Sequence, residues 1–212
     1  MKKIIFFLFI ILTFIETPAQ FKYGIEAGMN FATIKGNYPQ KLSSTTGILI
    51  GVNAGYNLFD ILQVESGFYL SQKGVTRILF TDIQGIETYN YLEIPINLKY
   101  DLPIPEQGKT FIFAGVYGAR LISAGVNPDN EGQSSAVNLG EILPATDYGL
   151  NFGIGQGFNV SSGMMNIKVE YSRGLSTLDK PYDVIKYGEH FTSDGSKKLN
   201  NSVVSVRVGY EF

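Results

Sequence analysis

Ten charged residues recur at positions that a β-strand would turn to one side: Glu26, Glu65, Glu93, Glu170 and Glu211, with Lys73, Lys99, Arg120, Lys168 and Arg207. Balanced carboxylates and cations on a shared face have two uses. They can pair inside a dry core, where an unpaired charge is costly, or they can line a polar path for small solutes. The structural use is the reading adopted here. His190 is the only histidine, and it stands beside Glu189 and near Asp183, Ser193 and Asp194. Histidine with a serine or acidic partner serves hydrolases and acyltransferases. This one falls in mid-loop, where the rigid support a catalytic group needs is not expected, so a solvated loop histidine is the reading. Asp129, Glu131 and Asp147 carry the oxygen chemistry of a hard-cation site, but their spacing matches no defined motif. No catalytic, cofactor-binding or metal residue is assigned. The sequence holds no phosphate loop or nucleotide fingerprint, and neither an enzyme activity nor a cofactor is expected.

The elements that would position the charged set are strands. In the last eleven residues Val204, Val206, Val208, Tyr210 and Phe212 share one face, and Val203, Ser205, Arg207, Gly209 and Glu211 share the other. That period-two alternation is the signature of a strand between an apolar medium and a polar interior. It recurs in 21–31, 47–58, 61–73, 89–100, 110–122, 147–160 and 164–172, which makes eight strands and no helical period. The apolar faces include Tyr23, Ile25, Ala27, Met29 and Phe31 in strand one, and Tyr148, Leu150, Phe152, Ile154 and Phe158 in strand six. In strand five Phe111, Phe113, Tyr117 and Leu121 are read as the apolar face, with Ala114, Gly118 and Arg120 opposite. Gly74 to Thr88 reads as a longer, less regular loop, with Val75 to Phe80 able to extend strand three above the membrane. Ser123 to Thr146 and Arg173 to Asn201 read as long loops. Pro95 cannot donate a ladder hydrogen bond, so a bulge or local break is expected there.

The chain has 212 residues, enough for one domain, with 13% aromatics, 24 Gly and only 17% charged residues. A net charge of -2 argues against a nucleic-acid partner, because no basic surplus exists to neutralise phosphates. The absence of Cys excludes disulfides, thiol catalysis and a lipoprotein anchor. Lys2 and Lys3, the apolar run Ile4 to Ile15 and the small residues around Thr17-Pro18-Ala19 read as a secretory signal peptide over 1–19. Gln20 is then the mature N-terminus, and 20–212 is a single barrel domain. No later run is long enough to cross a bilayer as a helix, so any spanning must be done by strands.

A soluble barrel would turn its polar face to water. Two features favour lipid outside. The polar faces of strands two and six are mostly Gly and Asn, poor material for a solvated surface but roomy inside a narrow barrel. The odd-numbered connections are long and the even ones short, as in outer-membrane barrels with periplasmic turns and external loops. Aromatics collect at strand ends on the apolar face: Tyr56, Tyr100, Phe111, Phe158 and Phe212 at one end, Phe31, Tyr148 and Tyr171 at the other.

Particular stretches resemble the PorT-type outer-membrane β-barrel family, also labelled porin-family. They are Gly24-Ile-Glu-Ala-Gly-Met-Asn-Phe31, Gly67-Phe-Tyr-Leu-Ser-Gln-Lys-Gly74, Tyr91-Leu-Glu-Ile-Pro-Ile-Asn-Leu-Lys-Tyr100 and Phe111-Ile-Phe-Ala-Gly-Val-Tyr-Gly118. The resemblance implies a barrel in the bacterial outer membrane and no single activity. The expected fold is therefore all-β, an eight-stranded antiparallel up-and-down transmembrane barrel with both termini periplasmic. Its expected role is structural or surface-interacting. A narrow solute channel stands second and a surface hydrolase or acyltransferase third. Expected partners are outer-membrane lipid, the outer-membrane assembly machinery through the strand ending at Phe212, and an envelope or surface protein.

Overall fold

A computed structural model describes residues 21–37, 42–80, 83–103, 108–128, 137–138, 143–160, 162–186 and 189–212. The proposed signal peptide lies outside them. Every described element is a strand: β1 Phe21–Gly36, β2 Thr45–Phe59, β3 Leu62–Phe80, β4 Ile83–Asp101, β5 Lys109–Pro128, β6 Val137–Asn138, β7 Thr146–Val160, β8 Gly163–Gly174, β9 Pro181–Lys186, β10 Glu189–Asp194 and β11 Leu199–Glu211. Eight of them form one antiparallel sheet in the order β4-β3-β2-β1-β11-β8-β7-β5, and β4 pairs with β5 to close it. The closed ring leaves no long edge unpaired, which is the condition for strands to cross a bilayer.

The first and last strands meet as their alternation requires. Ile25 lies opposite Tyr210, Ala27 opposite Val208, Met29 opposite Val206 and Phe31 opposite Val204, all facing outward. The Phe212 amide donates to the Tyr23 carbonyl at 2.9 Å and carries the ladder to the chain end. The outward faces are apolar around the ring; Ile154 is 51% exposed and Val206 41%. Burying these residues in hydrocarbon is favourable, so the sequence assignment of lipid-facing residues holds for every strand but one.

Strand β5 is the exception. Phe111, Phe113 and Tyr117 point inward, while Ile112, Ala114, Val116, Gly118 and Arg120 face out. The reason lies on the neighbouring strand. Phe111, Phe113 and Tyr117 stand opposite Gly155, Gly153 and Gly149 of β7. A Cβ at Gly155 would lie 2.3 Å from the Phe111 ring, so the glycine leaves the space the ring fills. Phe111 is therefore not a girdle residue, and Arg120 is not a lumen cation.

The Gly74 to Thr88 loop expectation is also corrected, although the extension of strand three through Val75 to Phe80 holds. β3 runs to Phe80 and β4 starts at Ile83, with Val75 opposite Glu87 and Arg77 opposite Gly85. Arg77 and Glu87 form an ion pair across this ladder. A membrane crossing needs about 9–11 residues per strand, so β3, β4 and β5, at 19, 19 and 20 residues, stand well beyond it. The end away from the termini thus gains bulk from projecting strands as well as from long connections. The two long loops also hold structure: β6 pairs with β5, and β9 and β10 form a separate hairpin. The turns at the termini end are short at β2–β3 and β7–β8, as expected. At Pro95 the ladder with β3 lacks pairs for residues 94 and 95 but keeps its register, so a break occurs without a bulge. The Ser66 hydroxyl donates to the Pro95 carbonyl at 2.7 Å.

Candidate functional site

The inward faces fill the barrel in three tiers. In the middle tier Lys168 of β8 lies between two carboxylates, 2.5 Å from Glu26 of β1 and 2.7 Å from Glu65 of β3. Arg207 of β11 pairs with Glu170 and lies 3.9 Å from Glu26. Glu26 also accepts from Asn53 at 2.7 Å and from the Tyr69 hydroxyl at 3.2 Å. Tyr69 fits because Gly51 and Gly67 flank its ring, each too close to it to carry a side chain. All these carboxylates and cations are buried, and their pairing offsets the desolvation that burial imposes.

Toward the projecting strands, Lys73 of β3 holds the second tier. Its ammonium is 2.7 Å from Glu93 and 3.4 Å from Asp147, and lies over the Tyr117 ring at 4.4 Å. Asp147 also accepts from the Tyr117 hydroxyl, Asn201 and Ser176. Above it Tyr89, Tyr91, Tyr117, Ala119, Ala124, Val126 and Leu178 form a buried apolar cluster. Leu178 comes from the connection between β8 and β9, and its amide bonds the Leu199 carbonyl at 2.7 Å. At the termini end Lys99 lies over the Phe111 ring at 4.2 Å, and Glu211 takes Lys22 at 2.8 Å and Lys99 at 3.8 Å.

Nine of the ten charged residues singled out in the sequence therefore meet in the lumen, and Arg120 does not. Asp147 and Lys22 were missed. Asp147 shares inward parity with Gly149 and Asn151, a signal its grouping with Asp129 and Glu131 obscured. Asp129 and Glu131 lie outside the described residues. The aromatic hydroxyls of Tyr69 and Tyr117 were also missed, since tyrosine reads as apolar in an alternation. In the last connection the His190 backbone pairs with Ile185 in the β9–β10 hairpin rather than lying in an irregular loop. The Ser193 hydroxyl donates to Asp179 at 2.6 Å, and Asp194 accepts from the Ser196 amide and hydroxyl. Chemically, the lumen is a set of mutually neutralised charges. It supplies rigidity, and each of Glu26, Glu65, Glu93 and Glu170 is held by a lysine or arginine, although Glu170 Oε2 has no hydrogen-bond partner among the described residues.

The family model of the outer membrane protein beta-barrel domain matches residues 5–212. No curated protein matches the chain. Among solved structures it is similar to a major outer membrane protein from Thermus thermophilus, with a TM-score of 0.54 and 12% identity over 91% of this chain and 99% of that one. It is similar to the outer membrane protein OprG from Pseudomonas aeruginosa, with a TM-score of 0.53 and 13% identity over 90% and 95%. The outer membrane protease OmpT from Escherichia coli aligns with a TM-score of 0.50 and 9% identity over 92% and 97%. At such identities the likeness is one of fold.

Proposed function

We propose that this chain, which belongs to the outer membrane protein beta-barrel domain family, works as a closed barrel with a structural or surface-interaction role in the bacterial outer membrane. The observation that carries this reading is the lumen. Lys73, Lys168 and Arg207 are held by Glu93, Glu26, Glu65 and Glu170 across the barrel, and the apolar cluster around Tyr91 and Leu178 lies above them. An eight-stranded barrel encloses little more than its own side chains, so charges locked to one another across that width leave no polar path to carry solutes. The narrow channel is therefore the second reading. OmpT is a protease on a similar fold, but the Ser193 and Asp194 groups here are taken up by local hydrogen bonds, so a surface hydrolase or acyltransferase stands third.

The interacting surface is the end with the projecting β3, β4 and β5 and the β9–β10 hairpin. In this reading the signal peptide over 1–19 is removed and both termini face the periplasm. The assembly machinery then meets the strand that ends at Phe212. The stretch Leu92-Glu93-Ile94-Pro95 supports a PorT-type member of the family. Two experiments test the reading. A tag inserted near Asn130 or Ser196 is expected to be reachable on whole cells and one after Ser162 is not; the reverse pattern would overturn the orientation. In sealed liposomes the protein is expected to leave sugar-driven swelling at background, and swelling that grows with protein content would favour the channel.

A further inference from the structure

Among the described residues of the eight barrel strands, every charged side chain on the outward face is a cation. There are three: Lys35 on β1, Arg120 on β5 and Arg173 on β8. Their outward direction follows from their neighbours. Ile34 and Ala119 pack into the apolar cluster of the barrel mouth, and Ser172 and Gly174 are buried. All three sit toward the end away from the termini. The outward positions at the opposite end, among them Phe21, Tyr56, Tyr100, Phe158 and Phe212, carry no charge. A rim charged only for solubility would show both signs and would occur at both ends.

Depth along the strand separates these cations from ordinary loop charges. Tyr148 and Tyr171 form the aromatic border on this side, with the Tyr171 ring packed at a tilt against Phe152, centroids 5.3 Å apart. Such aromatics mark the boundary between hydrocarbon and headgroups. Arg173 is two residues beyond Tyr171, and Arg120 is two residues beyond Gly118, the residue opposite Tyr148. Two residues advance a strand by about 7 Å, which puts both guanidinium groups at headgroup depth. Lys35 stands four residues beyond Phe31 and opposite Asn200 of β11, and Arg173 lies on the other side of that strand, opposite Ser202. The cations therefore span five consecutive strands, β5, β7, β8, β11 and β1, while the outward residues at this end of β2, β3 and β4 are uncharged. None of the three makes an ion pair or side-chain hydrogen bond among the described residues.

We infer that this one-sided cationic band binds the phosphate groups of an anionic lipid in the leaflet around the end of the barrel away from its termini. Guanidinium groups match phosphate oxygens as two-pronged donors, and the alkyl stems lie along apolar wall. Hydrocarbon packing on Val116, which lies four residues deeper than Arg120 on the same outward face, would hold the acyl chains beside the headgroup. With the termini periplasmic, this is the external leaflet; the inference rests on the barrel reading above for that placement alone.

The test uses the full chain purified in detergent, with native mass spectrometry reading retained lipid. The probe is a diphosphorylated glycolipid of the lipid A type, set against the same glycolipid with its phosphates removed. Wild type is expected to retain the phosphorylated form selectively. The triple variant Lys35→Gln, Arg120→Gln, Arg173→Gln should hold it roughly a hundredfold more weakly, while a charge-keeping triple, Lys35→Arg, Arg120→Lys, Arg173→Lys, should bind more weakly than wild type, having lost two bidentate guanidinium groups, but more tightly than the Gln triple. The gel mobility of the folded barrel verifies that each variant is assembled. Equal retention of both glycolipids, undiminished binding by the Gln triple, or displacement by millimolar inorganic phosphate would overturn the inference. Labelling of a Ser196→Cys variant on whole cells reads the orientation separately, so a reversed barrel and an absent lipid site give different results.

Discussion

Replacing Lys168 with Met removes one charge from the middle of the lumen and keeps an unbranched apolar stem of similar length. The ammonium lies 2.5 Å from Glu26 and 2.7 Å from Glu65. At 2.7 Å and an effective dielectric of about 20, one such pair is worth about 6 kcal/mol of gross attraction, most of it offset by the desolvation of both partners. Lys168→Met leaves Glu65 without its ion-pair partner and Glu26 with Arg207 at 3.9 Å. Breaking a buried pair from one side costs about 3–5 kcal/mol, and that is the expected loss. Changing Glu65 to Gln as well removes the stranded charge, so the double variant should recover about 1–3 kcal/mol relative to the sum of the single losses. Urea unfolding in lipid vesicles measures this, read by the gel mobility of folded barrel and by tyrosine fluorescence, since the chain has 13 Tyr and no Trp. A single-variant loss below about 1 kcal/mol, or single losses that add within about 0.5 kcal/mol, would refute the reasoning.

Ile154→Arg and Val206→Arg place a charge on the hydrocarbon face and should each cost about 2–4 kcal/mol and lower the yield of folded barrel. Arg120→Gln should stay within about 0.5 kcal/mol of wild type by the same urea titration, because Arg120 faces outward and is not part of the lumen; a loss as large as that of Lys168→Met would return it to the core. Gly155→Val should cost about 1–3 kcal/mol through collision with the Phe111 ring. Adding Phe111→Ala should recover part of that loss, and strict additivity in the unfolding titration would mean the ring and the glycine are not complementary.

The alternation in β1, β2, β7, β8 and β11 specified both faces from sequence because each strand is apolar on one side and Gly, Asn or charge on the other. β5 could not be read that way. Phe111, Phe113 and Tyr117 are apolar, but so are Ile112, Val116 and Ile122, and the choice between faces is made by glycines on β7 that the isolated strand does not contain. Asp147 was obscured for a related reason: parity places it in the lumen, while its neighbours in sequence suggest a loop. In the projecting hairpin Gly74 and Gly85 read as loop punctuation. The β-branched residues Val75, Thr76, Ile78 and Thr88 nevertheless continue the ladder, and the Arg77–Glu87 pair ties its two strands. The outward cations were not legible in the sequence, where Arg120 reads as a lumen charge and Arg173 as the start of a loop; their shared depth and common side become visible only when the strands are laid in ring order.

The closed lumen is the central claim, and electrical recording tests it most directly. Purified wild-type protein in a planar bilayer should give no steady conductance above that of the bare membrane. Glu93→Gln, which frees Lys73 from its 2.7 Å partner, should lower resistance to urea without opening a defined pore. A reproducible wild-type conductance whose ion selectivity reverses in Glu93→Gln would contradict the filled barrel and establish the channel in its place.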